Sequence, residues 1–195
     1  MTDSPASTPD IRVGSSPNAL VPVSTIAGRL GAGVRQWVGL GLVAAAAVIG
    51  DQLTKHVVRT HLWVDESTTL IGPLTLHRVQ NSGIAFGFFA SATVVVTVLT
   101  IVAVGWMFLF FARSGARHPV LPAALGLLVG GSVSNLVDRV RLGHVTDFID
   151  VGWWPAFNLA DSFIVAGVAV LLAALVATDR RGVEPRKRPL DIQAR

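Results

Sequence analysis

The stretch that decides the fold runs from Ala90 to Ala112 and reads ASATVVVTVLTIVAVGWMFLFFA, 23 residues without one charged side chain. A helix of roughly 20 apolar residues crosses the hydrocarbon core of a bilayer, so this stretch predicts a transmembrane helix. The rest of the chain agrees with that prediction. Only 14% of its residues are charged, whereas an average soluble domain carries about 25%.

Three further segments can span a bilayer: Gln36–Lys55, which must carry Asp51, then Pro119–Val137, and Phe157–Thr178, which carries Asp161. Prolines in the first turn of the third segment are compatible with a helix, because the first N–H groups have no helical partner. We find no internal repeat of the kind seen in many transporters. The predicted fold is an all-α polytopic membrane protein with four transmembrane helices.

The composition of the two chain ends differs from that of the spans. Residues 1–34 are rich in Ser, Pro, Thr, Ala and Gly, which predicts a disordered tail. Residues 35–178 then form the membrane domain, and residues 179–195 form a basic tail suited to anionic lipid. The run at 37–50 could instead be the apolar part of a signal peptide, but the polar block at 51–55 after it has the character of a functional segment.

Lys and Arg near the span ends predict the orientation, because such residues concentrate on the cytoplasmic side. Nine flank one side and five the other. The side with nine is predicted to be cytoplasmic, as are both termini of this inner-membrane protein. The connection 56–89 then lies outside, and its alternating pattern at 70–79 with a Gly72-Pro73 turn predicts a small extracytoplasmic β-element. The nine are Arg29, Arg35, Arg113, Arg117, Arg180, Arg181, Arg186, Lys187 and Arg188; the five are Lys55, Arg59, Arg78, Arg139 and Arg141.

The acidic residues in or near the spans all fall at the predicted outer ends of their helices. Asp51 ends the first span, Asp138 follows the third, and Asp161 begins the fourth. Acids in a membrane are costly and usually functional. An ion pathway would need polar groups through the whole membrane thickness, and the second span has no charged residue. This distribution favours a reaction at the outer membrane surface.

Several polar residues near these ends have a structural interpretation. Asp51 and Lys55 are four residues apart on one helix face, which predicts an ion pair with Lys55 extended towards the interface. Asp138 beside Arg139 should stay ionised and suits a structural partner. Arg139 could bind a lipid phosphate or a peptide carbonyl, and the sequence favours neither. Gly130, Gly131, Ser132 and Ser134 are small, which predicts close helix packing.

Asp147 and Asp161 are stronger candidates for chemistry. Asp147 shares a face of the alternating segment 145–150 with aliphatic residues, which predicts a raised pKa, although a solvated loop acid fits the spacing as well. Asp161 has no cation near it in sequence, which favours a functional role. Asn135 and Asn158 could orient carboxylates. The histidines at 56, 61, 77 and 144 show no metal-ligand spacing, and cysteine is absent.

Five blocks, in this order, resemble the lipoprotein signal peptidases, the aspartic type II signal peptidases of bacteria. Each block alone is weak evidence, but five in order are specific. One departure is Ser134, where the family usually has Gly; the serine is still small, so we expect a slight packing change and intact chemistry. The blocks are Asp51–Lys55, Asn81–Gly87, Gly130–Arg139, Val145–Phe148 and Phe157–Asp161.

The resemblance implies a membrane aspartic endopeptidase without metal or organic cofactor. It implies Asp147 and Asp161 as the catalytic pair, and a site lined by four further residues. The implied substrate is a diacylglyceryl-modified prolipoprotein, cleaved just before its lipidated cysteine. We expect membrane lipid as a partner, no nucleic acid, and a monomer. The implied lining residues are Asn81, Asn135, Arg139 and Asn158.

Three other functions stay open on the residues alone. A phospholipid-modifying transferase would use the acids as ligands of a divalent ion, and chelator would abolish its activity. A transporter or proton channel would use Asp51 and Asp161 but would need polar lining towards the inner leaflet. A membrane scaffold would tolerate loss of either acid.

Overall fold

The computed structural model describes residues 31–83, 92–114 and 118–182. Most of the two predicted tails, together with Ile84–Gly87 of the second sequence block, lies outside these ranges, so the proposed domain boundaries stay a prediction. Four helices in the described part are long and apolar enough to cross a membrane. The prediction of four spans is confirmed. The helices are α1 (Val34–His61), α2 (Ala92–Ser114), α3 (Leu121–Leu142) and α4 (Leu159–Gly182).

Helix α1 is longer than the span that predicted it. It continues past Lys55 to His61, and its 28 residues correspond to about 42 Å of helix. Because the hydrocarbon core is only about 30 Å thick, one end of the helix has to project beyond it unless the helix tilts strongly. Hydropathy marks the end of the apolar span and not the end of the helix, since residues 56–61 contain neither Pro nor Gly to stop it.

Helix α3 is the centre of the bundle and packs against the other three helices. Its glycines allow this close approach. A Cβ at Gly130 would lie 2.7 Å from the carbonyl oxygen of Ala44 in α1, and a Cβ at Gly131 would collide with the carbonyl of Ala160 in α4. The small residues therefore let two helix backbones approach α3 from different sides, as predicted from their size.

The two ends of the bundle differ in chemistry. At one end Leu40, Phe111, Leu121 and Leu125 form a buried apolar cluster, and Trp37 packs edge-on against Phe111 with ring centroids 4.9 Å apart. The buried acids lie at the opposite end, where α1 and α3 finish and α4 begins. We call this the acidic end of the bundle.

A three-stranded antiparallel sheet lies at the acidic end, which confirms the predicted small β-element. Strands β1 (Ser67–Ile71) and β2 (Leu74–Asn81) form a hairpin, and Gly72 adopts the positive φ of 53° that its two-residue turn requires. Strand β3 (Val145–Asp150) adds to the other side of β2. It comes directly after α3, which Gly143 ends in a left-handed conformation.

Candidate active site

Asp147 is a buried carboxylate on β3, directly opposite Val79 of β2. The side-chain amide of Asn81 donates to its Oδ2 at 2.9 Å, and that of Asn158 donates to its Oδ1 at 2.7 Å. Each carboxylate oxygen is thus held by one amide. The pairing of β2 with β3 brings Asn81 to Asp147, although the two are 66 positions apart in the chain.

Burial raises the pKa of Asp147 from the ordinary value of 3.8 to about 6. The amide hydrogen bond from Asn81 acts in the opposite direction, because it stabilises the ionised form. The negative charge of Asp161 raises the pKa further, and Asn158 and Lys55 lower it. The raised pKa of Asp147, expected from its aliphatic neighbours, therefore has burial as its main cause.

Asp161 lies in the first turn of α4 and takes part in its N-terminal cap. The backbone N–H of Asn158 donates to Asp161 Oδ2 at 3.2 Å, and the N–H of Asp161 donates to Asn158 Oδ1 at 3.0 Å. This reciprocal pair is a capping box. Asn135 of α3 donates its side-chain amide to Asp161 Oδ1 at 2.8 Å. The cap and Asn135 together fix the orientation of the carboxylate.

Asn158 connects the two aspartates. Its side chain donates to Asp147 and accepts from the N–H of Asp161, and its amide also donates to Asn135 Oδ1 at 3.1 Å. The structure therefore brings Asp147, Asp161 and three of the four predicted lining residues into one hydrogen-bonded cluster. Its members come from β2, α3, β3 and the start of α4.

Arg139, the fourth predicted lining residue, lies beside this cluster on α3. Asp147, Asp161 and Asp138 are its electrostatic neighbours. Its buried Nε has no hydrogen-bond partner among the described residues. Arg139 also lines the cavity described next, so its guanidinium is able to donate to a bound molecule there.

A cavity of about 760 Å³ opens beside this cluster, next to Asp147 and Arg139 but not next to Asp161. The sheet forms one wall, α2 contributes Val96, and the connection between β3 and α4 contributes Trp154. The cavity is large enough for a few residues of an extended peptide. Its other lining residues are His77, Val79, Gln80, Asn81, Ser82, Gly83, Arg139, Asp147, Asp150, Gly152, Pro155 and Ala156.

A buried ion network lies behind the cluster and consists of Asp51, Lys55 and Asp138. Lys55 Nζ is 2.7 Å from Asp51 Oδ2 and 3.1 Å from Asp138 Oδ2, and it donates to Asn135 Oδ1 at 2.8 Å. The three ammonium hydrogens thus have three partners. The predicted pair of Asp51 and Lys55 is present, but the extension of Lys55 to the interface is wrong, since its side chain is fully buried. The buried carboxylates and Asn135 offer it better partners than water at the interface.

The ion network also holds the backbone that carries the two aspartates. Asp51 Oδ1 accepts from the N–H of Ala160 at 2.8 Å, next to Asp161. Asp138 Oδ2 accepts from the N–H of Thr146 at 3.1 Å, next to Asp147. One set of buried charges therefore determines where the start of α4 and strand β3 lie relative to each other.

Two polar residues near the network were missed in the sequence. Ser134 Oγ donates to Asp51 Oδ2 at 2.7 Å, so packing alone does not explain this serine. Gln52 donates to Ser134 Oγ at 2.9 Å and to Asp138 Oδ1 at 3.1 Å. Ser134 lies four residues before Asp138 on the same helix, which puts both side chains on one helix face, and this spacing was a usable signal. Gln52 gave none, because a single Gln beside an acid is common.

Four hydrophobic helices, with a polar site at one end that holds two carboxylates, define a multi-pass membrane enzyme. A family model described as signal peptidase (SPase) II matches residues 43–177. The chain belongs to the signal peptidase II family. It is a protease that removes signal peptides from prolipoproteins.

Individual relatives agree with this family. The lipoprotein signal peptidase of Moorella thermoacetica is 38% identical over 146 residues, which cover 74% of this chain and 97% of that protein. The one from Syntrophomonas wolfei subsp. wolfei is 44% identical over 70% of this chain and 91% of its own length. A solved bacterial membrane enzyme at 32% identity superposes with a TM-score of 0.65, covering 69% of this chain and 90% of its own.

Proposed function

We propose that this protease is an aspartic endopeptidase whose catalytic pair is Asp147 and Asp161, and that it cuts its precursor just before a diacylglyceryl-cysteine. The observation that carries the proposal is the cluster around Asn158, which contacts both aspartates through separate atoms. The negative charge of Asp161 raises the pKa of Asp147, so the two carboxylates are electrostatically coupled and share a proton in this proposal.

The raised pKa of Asp147 supports placing the shared proton on this residue. Part of the increase comes from the negative charge of Asp161, which favours the protonated form of Asp147. Asp147 is then the general acid and Asp161 the general base. This division of roles between two coupled carboxylates is the pattern expected for an acid–base pair.

In the first step Asp161 takes a proton from water while the water oxygen bonds to the scissile carbonyl carbon. Asp147 gives its proton to the carbonyl oxygen, which forms a neutral tetrahedral diol. In the second step the C–N bond breaks. At the same time the dyad gives one proton to the leaving nitrogen and accepts one proton from the diol. The products are a carboxylic acid and an amine, and the dyad again holds one proton.

The lining residues have separate roles in this reaction. Asn81 and Asn158 hold the two oxygens of Asp147, and Asn135 holds Asp161. Arg139 lines the cavity and donates to a substrate carbonyl from the part of its guanidinium that faces the cavity. These residues position the reacting groups. Such positioning accelerates the attack of a water held between two oriented carboxylates.

The acidic end faces the outer side of the membrane in this proposal, with both termini in the cytoplasm. The excess of Lys and Arg on the opposite side supports this orientation. The acyl chains of the substrate would then lie in the outer leaflet beside the cavity. All members of the proposed site come from one chain, which favours a monomer.

Two of the rival functions find less support. Among the described residues, no three His, Asp or Glu side chains converge in a way that would hold a metal ion. The far end of the bundle contains an apolar cluster where an ion pathway would need polar groups.

The test is cleavage of a diacylglyceryl-modified lipoprotein precursor by the purified protein in detergent. We expect turnover with and without chelator, and loss of at least about 10²-fold for Asp147→Asn and for Asp161→Asn, the lower range for a general acid or base. Asp65→Asn is the matched control: it makes the same change at an exposed position outside the site, and turnover should stay normal.

The identity of the product decides the cleavage position. Mass spectrometry should give a mature fragment that begins with the lipidated cysteine. Near-normal turnover in either dyad variant would show that the dyad is assigned wrongly, and inhibition by chelator would favour a metal-dependent enzyme.

A further inference from the structure

A second groove lies at the acidic end, between the last turns of α1 and α3, with a volume of about 520 Å³. Five of its residues repeat along one face of α1 at helical spacing, and three come from the end of α3. Neither Asp147, Asp161 nor Arg139 lines it. The groove is therefore separate from the catalytic cavity. Its residues are Ile49, Gln52, Leu53, His56, Arg59, Asp138, Arg141 and Leu142.

The chemistry of the groove changes along its length. Ile49 and Leu53, 58% and 60% exposed, form its apolar part on α1. Arg59 lies about 15 Å further along the helix axis, ten residues from Ile49. With α1 crossing the bilayer towards the acidic end, as in the orientation proposed above, the apolar part would lie at the depth of acyl chains and the basic part at the depth of lipid headgroups.

The basic part of the groove has a positive charge that is able to bind an anion. Asp138 is the acid in the lining, but its oxygens are already within 3.1 Å of Lys55 and of Gln52, and 3.6 Å from Arg59. Arg141 is exposed and makes no ion pair within the described part of the chain. The guanidinium of Arg141 therefore remains for an external anion, with His56 beside it in the lining.

We propose that this groove binds an anionic glycerophospholipid of the surrounding leaflet, with the phosphate against Arg141 and Arg59 and one acyl chain along Leu53 and Ile49. The argument is complementarity in two respects. Guanidinium groups bind phosphate oxygens through charge-assisted hydrogen bonds. The apolar side chains lie at the depth where the acyl chains of that same lipid begin.

A membrane lipid fits this groove better than a soluble phosphate. A free anion would use the arginines but leave Ile49 and Leu53 without a partner, whereas a phospholipid contacts both parts. The lipid bound here is not the substrate, whose scissile bond must lie at the catalytic cavity. It would also cover the side of the ion network that Gln52 and Asp138 present to the groove.

The test uses the full-length protein in nanodiscs of phosphatidylcholine with added phosphatidylglycerol, followed by native mass spectrometry of the extracted protein. We expect one retained phosphatidylglycerol on the wild type, and about tenfold lower occupancy for Arg141→Gln, the loss expected for one charge-assisted hydrogen bond. Arg141→Lys should keep part of the occupancy. Arg113→Gln, an exposed arginine at the other end of the bundle, is the matched control and should behave as the wild type.

Two further arms identify the source of the anion. Phosphatidylcholine alone should leave the groove unoccupied, and excess glycerol 3-phosphate should not displace phosphatidylglycerol. Equal retention of both lipids, unchanged retention by Arg141→Gln, or displacement by glycerol 3-phosphate would each overturn the proposal. Folding of Arg141→Gln is checked by its thermal unfolding in phosphatidylcholine, which should match the wild type.

Discussion

The side-chain amide of Asn158 donates a 2.7 Å hydrogen bond to Asp147 while the same residue caps the helix that carries Asp161. A single side chain therefore couples the start of α4 to strand β3. The consequence is that the distance between the two carboxylates depends on a residue that takes no proton itself.

Two substitutions at this position separate capping from hydrogen bonding. Asn158→Ala removes the cap and the donor to Asp147, so we expect turnover to fall by about 10²-fold, as for misplaced reacting groups. It should also destabilise the protein by about 1 kcal/mol through the lost cap. Asn158→Asp keeps a good cap residue but replaces the donor by a negative charge.

Because this charge would lie fully buried against Asp147 and Asn135 Oδ1, the aspartate variant should be less stable than the alanine variant at neutral pH and should also lose turnover. Thermal unfolding and precursor cleavage are measured on both proteins. Full turnover in Asn158→Asp would show that the hydrogen bond to Asp147 has no role in positioning.

The pH dependence of cleavage reports the shared proton. Because Asp147 acts as the acid with a pKa of about 6, kcat/KM should decline as the pH rises through that value. Asn81→Ala removes a hydrogen bond that stabilises the ionised form, so it should move this decline to higher pH. Profiles of both proteins are compared in the same detergent, and an unmoved or lowered alkaline limb would contradict the assignment.

The free energy of unfolding should also depend on pH through the raised pKa of Asp147. Asp147 has a folded pKa of about 6, above its ordinary 3.8, so its contribution to folding is present below the lower value and is lost as the pH rises through the higher one. Asp147→Asn has no such loss. Relative to the wild type, this variant should gain about 2 kcal/mol between pH 4 and pH 8, measured by chemical unfolding in micelles. A constant difference across this range would contradict the raised pKa.

The ion network should be strongly coupled. Lys55→Met leaves Asp51 and Asp138 buried without their shared cation, which should cost about 3–5 kcal/mol of unfolding free energy. Adding Asp51→Asn removes one of the uncompensated charges, so the double variant should be more stable than the sum of the two single losses predicts. Unfolding of the four proteins in the cycle is measured, and simple additivity would show that the two charges do not act together.

Ser134 gives a prediction specific to this chain. Ser134→Ala removes the hydroxyl that donates to the buried carboxylate of Asp51, which should cost about 1.5–3 kcal/mol, the range for a hydrogen bond to a charged group. Ser134→Gly should cost about 1 kcal/mol more through its helix propensity. Turnover at permissive temperature should stay within a few fold of the wild type, because neither Asp147 nor Asp161 contacts Ser134. A loss of turnover without a loss of stability would place the hydroxyl in the reaction.

Much of the architecture was predictable from local patterns. The spans are detectable because hydropathy is a property of consecutive residues. The acids could be assigned to one end of the bundle because the position of each acid within its span can be read directly from the sequence. The end of α1 was misjudged for the same reason: apolarity stops at Lys55, but helical hydrogen bonding continues to His61.

By itself, the sequence determined four membrane spans, the end of the bundle that holds the acids, and which aspartates were candidates for chemistry. Only the tertiary structure decided that Asn81 reaches Asp147, that Asn158 joins both carboxylates, and that Lys55 is buried among three partners. The physical reason is distance along the chain. Strand pairing brings together Asn81 and Asp147, 66 positions apart, and helix packing brings together Lys55 and Asn135, 80 positions apart. Asn158 is only 11 positions from Asp147, but the two belong to different elements, and no pattern within one span records that they will meet.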